Sequence, residues 1–304
     1  IVLLSAIYMP MLLFWKYDIL FSYFYRYSFF AALLAKCFGK KTYFTGGIDS
    51  LDSDYASAFN YKIQALFFKL CYWVADSCII VSQSDLKNIF KVSSLKKKLS
   101  YSEHVINTKL FIADVPKEKI FTSIVWMGDE GNVVRKGVDK ALQIFAELKK
   151  IPEFVDYRFV IIGRKGEGEV LVRSIIDKYN LKGSVELKGE VSEEDKINLL
   201  KQSKYYFQLS LYEGFGLAAL EALCANNIII HSGKGGLANP IYKEQLLFDI
   251  DNDFDSELLK LVNKLACFTP ITSYDNLLEY YDIQRRKDDF EAIIVNGKSN
   301  YKLK

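Results

Sequence analysis

Apolar stretches of two kinds alternate along the first third of the chain. Short runs at 17–24, 41–45 and 77–82 are typical of strands, and the last contains four consecutive apolar residues, as a strand buried on both faces does. Longer stretches at 28–38 and 55–75 have the length and apolar content of helices. Because parallel strands are joined by crossover helices, this alternation predicts a parallel sheet with helices packed on it.

A second alternating series begins at residue 120. Ser192 is predicted to cap one of its helices, because three acidic residues follow in what would be the first turn. The predicted strands are 122–127, 157–162, 184–188, 205–209 and 227–231, and the other predicted helices are 137–149, 167–179 and 216–224. The two series together predict an α/β protein with two doubly wound parallel sheets.

The join between the two series, at 109–118, predicts the domain organisation. We expect an N-terminal Rossmann-like domain over 1–112 and a C-terminal Rossmann-like domain over 113–272. A tyrosine-rich helical stretch at 273–293 opens the remaining segment, 273–304. This segment is expected to return toward the N-terminal domain and to end in a basic, frayed tail.

The first fifteen residues form an apolar run that contains Pro10 and is ended by Lys16. The run is shorter than the roughly 20 residues that a membrane-spanning helix requires. It also lacks the basic leader and the small-residue cleavage site of a signal peptide. We therefore expect neither kind of segment here. Because the chain does not begin with Met, we expect an upstream segment to be missing.

Composition excludes several classes of protein. Half of the 304 residues are hydrophobic and 25% are charged, which is typical of a globular chain. The net charge of +3 gives no global field for binding nucleic acid. Five cysteines lack metal-ligand spacing and are predicted to be reduced core thiols. With only two histidines, neither a histidine-based metal site nor a Ser-His-Asp triad is indicated.

The sharpest chemical signal lies at 210–223, between a predicted strand and a predicted helix. Its sequence is SLYEGFGLAALEAL. Gly214 and Gly216 permit a tight turn and a close approach of a ligand to the backbone. The N-terminus of the following helix suits a diphosphate. Glu213 and Glu221 could accept hydrogen bonds from sugar hydroxyls, although their spacing alone fits ordinary helix charges equally well.

This stretch resembles the donor-site signature of GT-B glycosyltransferases of family 4, the group 1 glycosyltransferases. In that signature two glutamates eight positions apart stand in an EGFGL…EA sequence. The resemblance extends, in order, over residues 120–240. It includes the strand 124–127 with Gly128, the Lys136-Gly137-Val138-Asp139-Lys140-Ala141 segment, the strand 159–162 with Gly163, the segment 185–191, and the glycine turn at 232–237.

The resemblance implies a fold and a donor site. It implies GT-B architecture, with two Rossmann-like doubly wound parallel-sheet domains facing a cleft and an N-terminal domain that lacks its first elements. It also implies a nucleotide-diphosphate sugar as the donor. Lys136 would contact the diphosphate, Glu221 the nucleotide ribose and Glu213 the donor sugar. The expected catalytic residues are therefore Glu213 and Lys136, and the expected donor-binding residues are Glu221, Gly128, Arg135, Gly163, Glu190, Val191, Gly214, Phe215, Gly216 and Leu217.

A lysine at the diphosphate would offset the negative charge of the leaving group. For this reason we expect neither a cofactor nor a metal ion. Asp129 departs from the family pattern, because an arginine usually follows the strand glycine, and Arg135 could compensate. Gly46 stands where many members have a histidine, so no catalytic histidine is carried over. His104 is expected to be structural.

The expected activity is retaining transfer of a sugar to a glycan or lipid-linked glycan, in bacterial surface-polysaccharide synthesis. Two alternatives stay open: a catalytically weak remnant that has a binding or scaffolding role, and a sugar-nucleotide epimerase. The expected partners are the donor and the acceptor, with no nucleic acid. The aromatic first third would allow peripheral contact with a membrane, although core packing explains it equally simply. The expected location is the cytoplasm, with the inner face of the membrane as an option.

Overall fold

The computed structural model describes residues 16–23, 25–46, 51, 57–92, 96–112, 115–268 and 275–296. The apolar run at 1–15 lies outside these residues. The chain divides into two compact units: the residues up to His104 together with those from Gln284, and the segment Val105–Ile283. The boundary between the two units lies after His104, whereas the sequence analysis placed it after residue 112. Phe111 belongs to the same apolar cluster as Leu200 of the second unit.

The first unit is built on a parallel sheet. Its elements are β1 (Ile19–Ser22), α1 (Tyr25–Cys37), β2 (Lys41–Thr45), α2 (Ala58–Val74), β3 (Ser77–Ile80), α3 (Gln83–Val92) and β4 (Leu99–Tyr101). In the described residues the sheet has the order β1-β2-β3-β4. Because this order follows the chain, right-handed crossovers place the connecting helices on one face of the sheet. Tyr25 of α1 accordingly stacks on Phe44 of β2 at 5.3 Å and meets Phe68 of α2 at 5.4 Å.

The second unit contains a larger parallel sheet. Its elements are β5 (Glu118–Ile124), α4 (Glu130–Arg135), α5 (Val138–Leu148), β6 (Arg158–Ile162), α6 (Glu169–Lys178), β7 (Val185–Gly189), α7 (Glu193–Gln202), β8 (Ser203–Gln208), α8 (Leu217–Cys224), β9 (Ile228–His231), β10 (Leu246–Leu247) and α9 (Phe254–Cys267). The described strands have the order β10-β9-β8-β5-β6-β7. The order reverses between β5 and β8, which is the point where ligands bind in open parallel sheets.

Both faces of this sheet are buried, as the apolar strands predict. Phe121 of β5 lies at the centre of one face and stacks on Tyr205 and Phe207 of β8 at 4.6 and 5.1 Å. On the other face Tyr206 packs with Leu220 of α8. The doubly wound arrangement predicted for this half of the chain is therefore confirmed.

The predicted start of α7 is also confirmed. The Ser192 hydroxyl accepts a hydrogen bond from the Asp195 N–H at 3.0 Å, and Glu193, Glu194 and Asp195 occupy the first turn. Side-chain oxygens at this position satisfy N–H groups that have no partner within the helix.

The stretch at 273–293 that was predicted to be helical is divided by a short break. The chain forms two helices there, α10 (Asp275–Tyr280) and α11 (Ile283–Asn296). Between them Tyr281 is buried and its carbonyl accepts a hydrogen bond from Ile106 N–H at 3.0 Å. The α11 helix packs on the first unit, where Phe290 stacks on Phe21 at 5.5 Å.

The cysteine prediction is correct for three of the five residues. All five are free thiols, and Cys71, Cys78 and Cys224 are buried. Cys37 and Cys267, at the ends of α1 and α9, are exposed. Within the described residues, no helix is long and apolar enough to span a bilayer.

Replacing Gly137 with alanine should destabilise the second unit strongly. Gly137 has a φ of 69°, and an added Cβ would overlap the backbone carbonyl of Leu209. We expect a loss of more than about 3 kcal/mol in the free energy of unfolding, since a strained φ and an overlap add. Gly183→Ala is the matched control: its φ is 83°, but a Cβ there would meet no atom within 4 Å. Equal losses for the two variants in chemical denaturation would contradict the steric explanation.

Candidate functional site

The turn after β8 forms the framework of the candidate site. It leads through Gly214, Phe215 and Gly216 into α8, and Gly216 has a φ of 89° that glycine adopts without strain. A second glycine segment closes on it: the N–H of Gly236 donates to the Glu213 carbonyl at 2.5 Å. A Cβ on Gly235 would overlap this same carbonyl. Glycines from two separate segments therefore fix the position of Glu213.

Lys136 and Glu213, the two expected catalytic residues, form an ion pair. The Lys136 ammonium donates to Oε1 and Oε2 of Glu213 at 3.0 and 2.8 Å, and both side chains are largely buried. Lys136 ends α4, and the preceding carbonyl of Arg135 accepts a hydrogen bond from Leu211 N–H at 2.8 Å. This backbone contact brings together two segments that are distant in the sequence.

Polar side chains from β8 hold the Glu213 carboxylate from the other side. Oε2 accepts hydrogen bonds from Ser210 Oγ at 3.0 Å and from Gln208 Nε2 at 3.3 Å. The Gln208 side chain is fixed in turn by the Tyr206 hydroxyl, which donates to Gln208 Oε1 at 3.1 Å. Sequence reasoning assigned no role to Gln208. Its signal was a polar residue at the carboxyl end of an otherwise apolar strand.

Glu221 is also held by a lysine, which the sequence did not predict. Lys196 of α7 donates to Glu221 Oε1 at 2.9 Å and lies 2.8 Å from Glu193 Oε1. The Lys196 and Glu221 side chains are both largely buried. No spacing rule could find this pair, because the two residues lie on different helices. The structure thus places each of the two glutamates against its own lysine.

Burial and charge act in opposite directions on this second pair. Burial raises the pKa of Glu221, and the hydrogen bond from Lys196 only partly offsets this effect. For Lys196, burial works to lower the pKa, but the carboxylates of Glu193 and Glu221 outweigh it and the pKa is raised. The lysine is therefore charged at neutral pH and supports the ionised form of Glu221.

Arg135, which could compensate for the arginine missing after Gly128, bonds a neighbouring side chain in this structure. Its guanidinium donates to Asn132 Oδ1 at 2.6 and 3.2 Å, within its own helix. Asp129, which occupies the arginine position, caps this helix, since Oδ1 accepts from Asn132 N–H at 2.6 Å. The aspartate at this position therefore has a local structural role, as the N-cap of α4.

The remaining predicted residues divide into backbone positions and side chains. Gly163 has a φ of 132°, and a Cβ there would overlap the Val125 carbonyl, so it permits the close packing of neighbouring strand ends. Glu190 is exposed, and Val191 packs partly buried on the apolar cluster beneath it. Phe215 is buried, with its ring 6.2 Å from that of Tyr281, whereas Leu217 is exposed at the start of α8.

The start of α8 is the part of the arrangement whose geometry suits an anion. The Leu220 N–H donates the first hydrogen bond of this eight-residue helix, to the Gly216 carbonyl. The N–H groups before Leu220 therefore have no acceptor within the helix. Such amides, with the helix dipole behind them, favour a phosphate. Among the described residues, no group of three or more His, Cys, Asp or Glu side chains is arranged to hold a metal ion.

In the first unit, His104 and Gly46 lie beyond the carboxyl ends of β4 and β2. Gly46 has a φ of 113°, and a Cβ there would lie 2.6 Å from the Tyr23 carbonyl oxygen, so this backbone does not accommodate a histidine. His104 Nδ1 is within hydrogen-bond reach of the Arg286 guanidinium. Burial and, secondarily, the charge of Arg286 lower the pKa of His104 to about 4. The imidazole is therefore neutral at pH 7 and accepts this hydrogen bond.

Comparison with known proteins identifies the part of the chain that carries the site. Residues 131–266 match the family model described as glycosyl transferases group 1. We call residues 131–266 the group 1 domain, after the family model to which they are similar. Lys136, Glu213, Glu221 and Lys196 all fall within it, so the resemblance that the sequence suggested is confirmed.

Curated relatives of the group 1 domain are glycosyltransferases. A GDP-mannose:cellobiosyl-diphosphopolyprenol alpha-mannosyltransferase of Xanthomonas oryzae is 32% identical over 163 residues, which is 47% of this chain and 40% of that protein. One subunit of the human phosphatidylinositol N-acetylglucosaminyltransferase is 30% identical over 105 residues, which is 34% of this chain and 21% of that protein. The chain spans less than half the length of these curated relatives.

Solved structures confirm the predicted GT-B fold. The Anabaena protein HepE in complex with UDP and glucose superposes with a TM-score of 0.74 at 13% identity, over 96% of this chain and 81% of that one. Sucrose-phosphate synthase of Thermosynechococcus elongatus gives a TM-score of 0.69 at 18% identity, over 97% of this chain and 75% of that one. Two parallel-sheet Rossmann-like units are thus the architecture of this protein.

Removing Lys196 should destabilise the group 1 domain through Glu221. In Lys196→Gln the buried Glu221 carboxylate loses its charged partner, and we expect a loss of about 1–2 kcal/mol near neutral pH. Glu221 has a raised pKa when folded, so its ionisation costs stability above that pKa, and this cost vanishes as the pH falls below it. The loss should therefore shrink in acid.

A double-mutant cycle separates this coupling from other effects of the substitution. Adding Glu221→Gln should restore about 1 kcal/mol, because no unpaired buried charge remains. Lys201→Gln, on the same helix, serves as the control and should change the free energy of unfolding little. If the losses in the free energy of unfolding for Lys196→Gln and Glu221→Gln simply add in the double variant, the two side chains have no interaction energy, and the explanation is wrong.

Proposed function

We propose that this protein transfers a sugar from a nucleotide-diphosphate sugar to a hydroxyl of a glycan or lipid-linked glycan, with retention of anomeric configuration. The observation that carries this proposal is the largely buried ion pair of Lys136 and Glu213 beside the glycine turn that starts α8. This pair lies inside the group 1 domain, after the strands at which the sheet order reverses.

The donor would lie across the start of α8. Its diphosphate would face the first amides of the helix and the Lys136 ammonium, which together favour a dianionic group. Glu221, held by Lys196, would accept hydrogen bonds from the ribose hydroxyls. Glu213, held by Ser210 and Gln208, would accept hydrogen bonds from hydroxyls of the donor sugar.

Transfer breaks the bond between the anomeric carbon and a phosphate oxygen, and the electron pair leaves with the nucleoside diphosphate. The acceptor oxygen forms the new bond to the same carbon from the same face. Its proton passes to the departing phosphate oxygen, so atoms and charges balance. Lys136 would stabilise the negative charge that develops on that phosphate, and Glu213 would share the lysine with it as the bond breaks.

The acceptor we propose is lipid-linked. The Xanthomonas relative is named for a diphosphopolyprenol-linked acceptor and the human relative for phosphatidylinositol, so both names specify a lipid. We also propose that this transfer belongs to bacterial surface-polysaccharide synthesis, in the cytoplasm or at the inner face of the membrane. The donor sugar and the nucleotide base are left to experiment, because the two relatives differ in the sugar they transfer.

Nucleotides should stabilise the protein selectively. A ligand that binds only the folded state raises the melting temperature, so a screen of UDP, GDP and ADP by thermal shift should give one preferred base. Glu221→Ala should abolish the shift, because the proposed ribose contact is lost. Glu194→Ala, an exposed glutamate in the first turn of α7, should leave it unchanged. If no nucleotide shifts the wild-type protein, the scaffolding alternative is favoured.

Substituting the ion pair should reduce turnover more than donor binding. We expect Glu213→Gln and Lys136→Gln each to lower kcat at least about 100-fold, since each removes charge needed as the glycosidic bond breaks. The measurement is release of the nucleoside diphosphate with a diphosphopolyprenol-linked disaccharide as acceptor. Glu244→Gln, an exposed glutamate of the same unit, is the charge-matched control.

Unchanged rates in Glu213→Gln and Lys136→Gln would remove the proposed roles. Product analysis separates the alternatives that the sequence left open. An altered donor sugar formed without acceptor would indicate epimerisation. Donor binding without any turnover would indicate a non-catalytic binding or scaffolding role.

A further inference from the structure

The outward face of α2 carries an unusual stripe of side chains. Phe59, Lys62, Leu66, Lys69 and Trp73 follow one another at intervals of three and four residues, so they share one face of the helix. Phe59, Leu66 and Trp73 are 72, 55 and 72% exposed. Lys62 and Lys69 are exposed between them. Apolar and cationic groups therefore alternate along about 20 Å of helix surface.

The neighbouring helix extends this face. Phe29 of α1 meets Phe67 of α2 edge-on at 6.1 Å, so the two helices lie side by side on the same face of the sheet. On α1, Tyr27 and Phe30 are both more than 40% exposed, and Phe38, the residue that follows α1, is exposed too. We call the exposed side of α1 and α2 the outer helical face.

Its charge is of one sign. Neither α1 nor α2 contains an aspartate or glutamate, whereas Arg26, Lys36, Lys62 and Lys69 are basic. Lys36 pairs with Asp76 at 2.7 Å, but Lys62 and Lys69 form no ion pair within the described part of the chain. A face that combines exposed aromatic rings with uncompensated lysines complements an anionic, partly apolar surface.

The same helices bury their other side in the usual way. Phe68, Cys71 and Tyr72 of α2 are buried in the core of the first unit. The helix thus carries large apolar side chains on its outward side as well as on its buried side, which is not expected for a helix whose outward side faces only water. Long lysine stems can lie along apolar surface while their ammonium groups reach toward phosphates.

We propose that the outer helical face docks on the surface of an anionic lipid bilayer. Phe59, Leu66 and Trp73 enter the boundary between headgroups and acyl chains, and Lys62 and Lys69 contact lipid phosphates. The inference deepens the proposed function, because it states how a protein with a lipid-linked acceptor reaches it. The docking itself does not depend on catalysis.

Vesicle sedimentation of the full chain tests the proposal. The wild-type protein should sediment with vesicles of phosphatidylcholine and phosphatidylglycerol, and much less with phosphatidylcholine alone. Lys62→Glu with Lys69→Glu should lower the partition coefficient at least about tenfold, and Phe59→Ser with Trp73→Ser by a similar factor. The control is Lys178→Glu with Lys201→Glu, the same charge change in the second unit. Wild-type binding no better than that of the variants, or an equal loss in the control, overturns the proposal.

Two further readouts exclude other occupants of this face. With Trp15 and Trp126 replaced by phenylalanine, emission from Trp73 should be quenched by acrylamide in solution and protected by anionic vesicles. Protection without vesicles would mean that another part of the chain covers the face, and would overturn the proposal. In sedimentation velocity we expect no dimer that dissociates when Phe59→Ser and Trp73→Ser are introduced. Such a dimer would mean that a second copy of the chain, and not a membrane, covers this face.

The membrane proposal and the proposed function fail in different ways. Lys62→Glu with Lys69→Glu should keep the nucleotide-induced thermal shift of the wild-type protein while losing vesicle binding. Loss of both the thermal shift and vesicle binding would indicate that this variant misfolds. Phe59→Ser with Trp73→Ser then tests the membrane proposal independently. Vesicle binding with no nucleotide shift would retain the docking face and remove the enzymatic proposal.

Discussion

The ion pair of Lys136 and Glu213 is the constraint on which the candidate site depends. It joins the end of α4 to the turn after β8, and each partner reaches its place only because glycines leave room. Gly137 lets the chain turn beneath Leu209, and Gly235 lets a second segment close on Glu213. The carboxylate also accepts hydrogen bonds from Ser210 and Gln208, so its orientation is fixed before any ligand arrives.

The second pair, Glu221 with Lys196, repeats the same physical solution on α8 and α7. A largely buried carboxylate without a cation would favour its protonated form, which cannot accept as many hydrogen bonds. The charge of the lysine and its hydrogen bond lower the pKa of Glu221 and so favour the ionised form. Beneath both pairs lies a sheet buried on both faces, with the rings of Phe121, Tyr205 and Phe207 stacked at its centre. Such a core gives the charged side chains a rigid support.

The two faces of the first unit's sheet are covered differently. On one face α11 returns from the end of the described chain, and Phe290 stacks on Phe21. On the other face α1 and α2 cover the sheet but leave Phe59 and Trp73 exposed among lysines. The unit that carries this outer helical face is separate from the unit that carries the ion pairs. The proposed membrane docking and the proposed donor binding can therefore be tested with separate sets of substitutions.

Local pattern determined much of this protein. Alternating apolar runs predicted the two parallel sheets, and the sequence around Glu213 indicated a glycine turn between a strand and a helix, because strand burial, glycine turns and helix starts are local properties. The tertiary structure alone decided that Lys196 meets Glu221 and that the last helical stretch breaks at Tyr281. It also decided that the apolar face of α2 is not all core. Each of these depends on contacts between segments distant in sequence, or on which side of a helix the sheet covers, and neither is encoded in residue spacing.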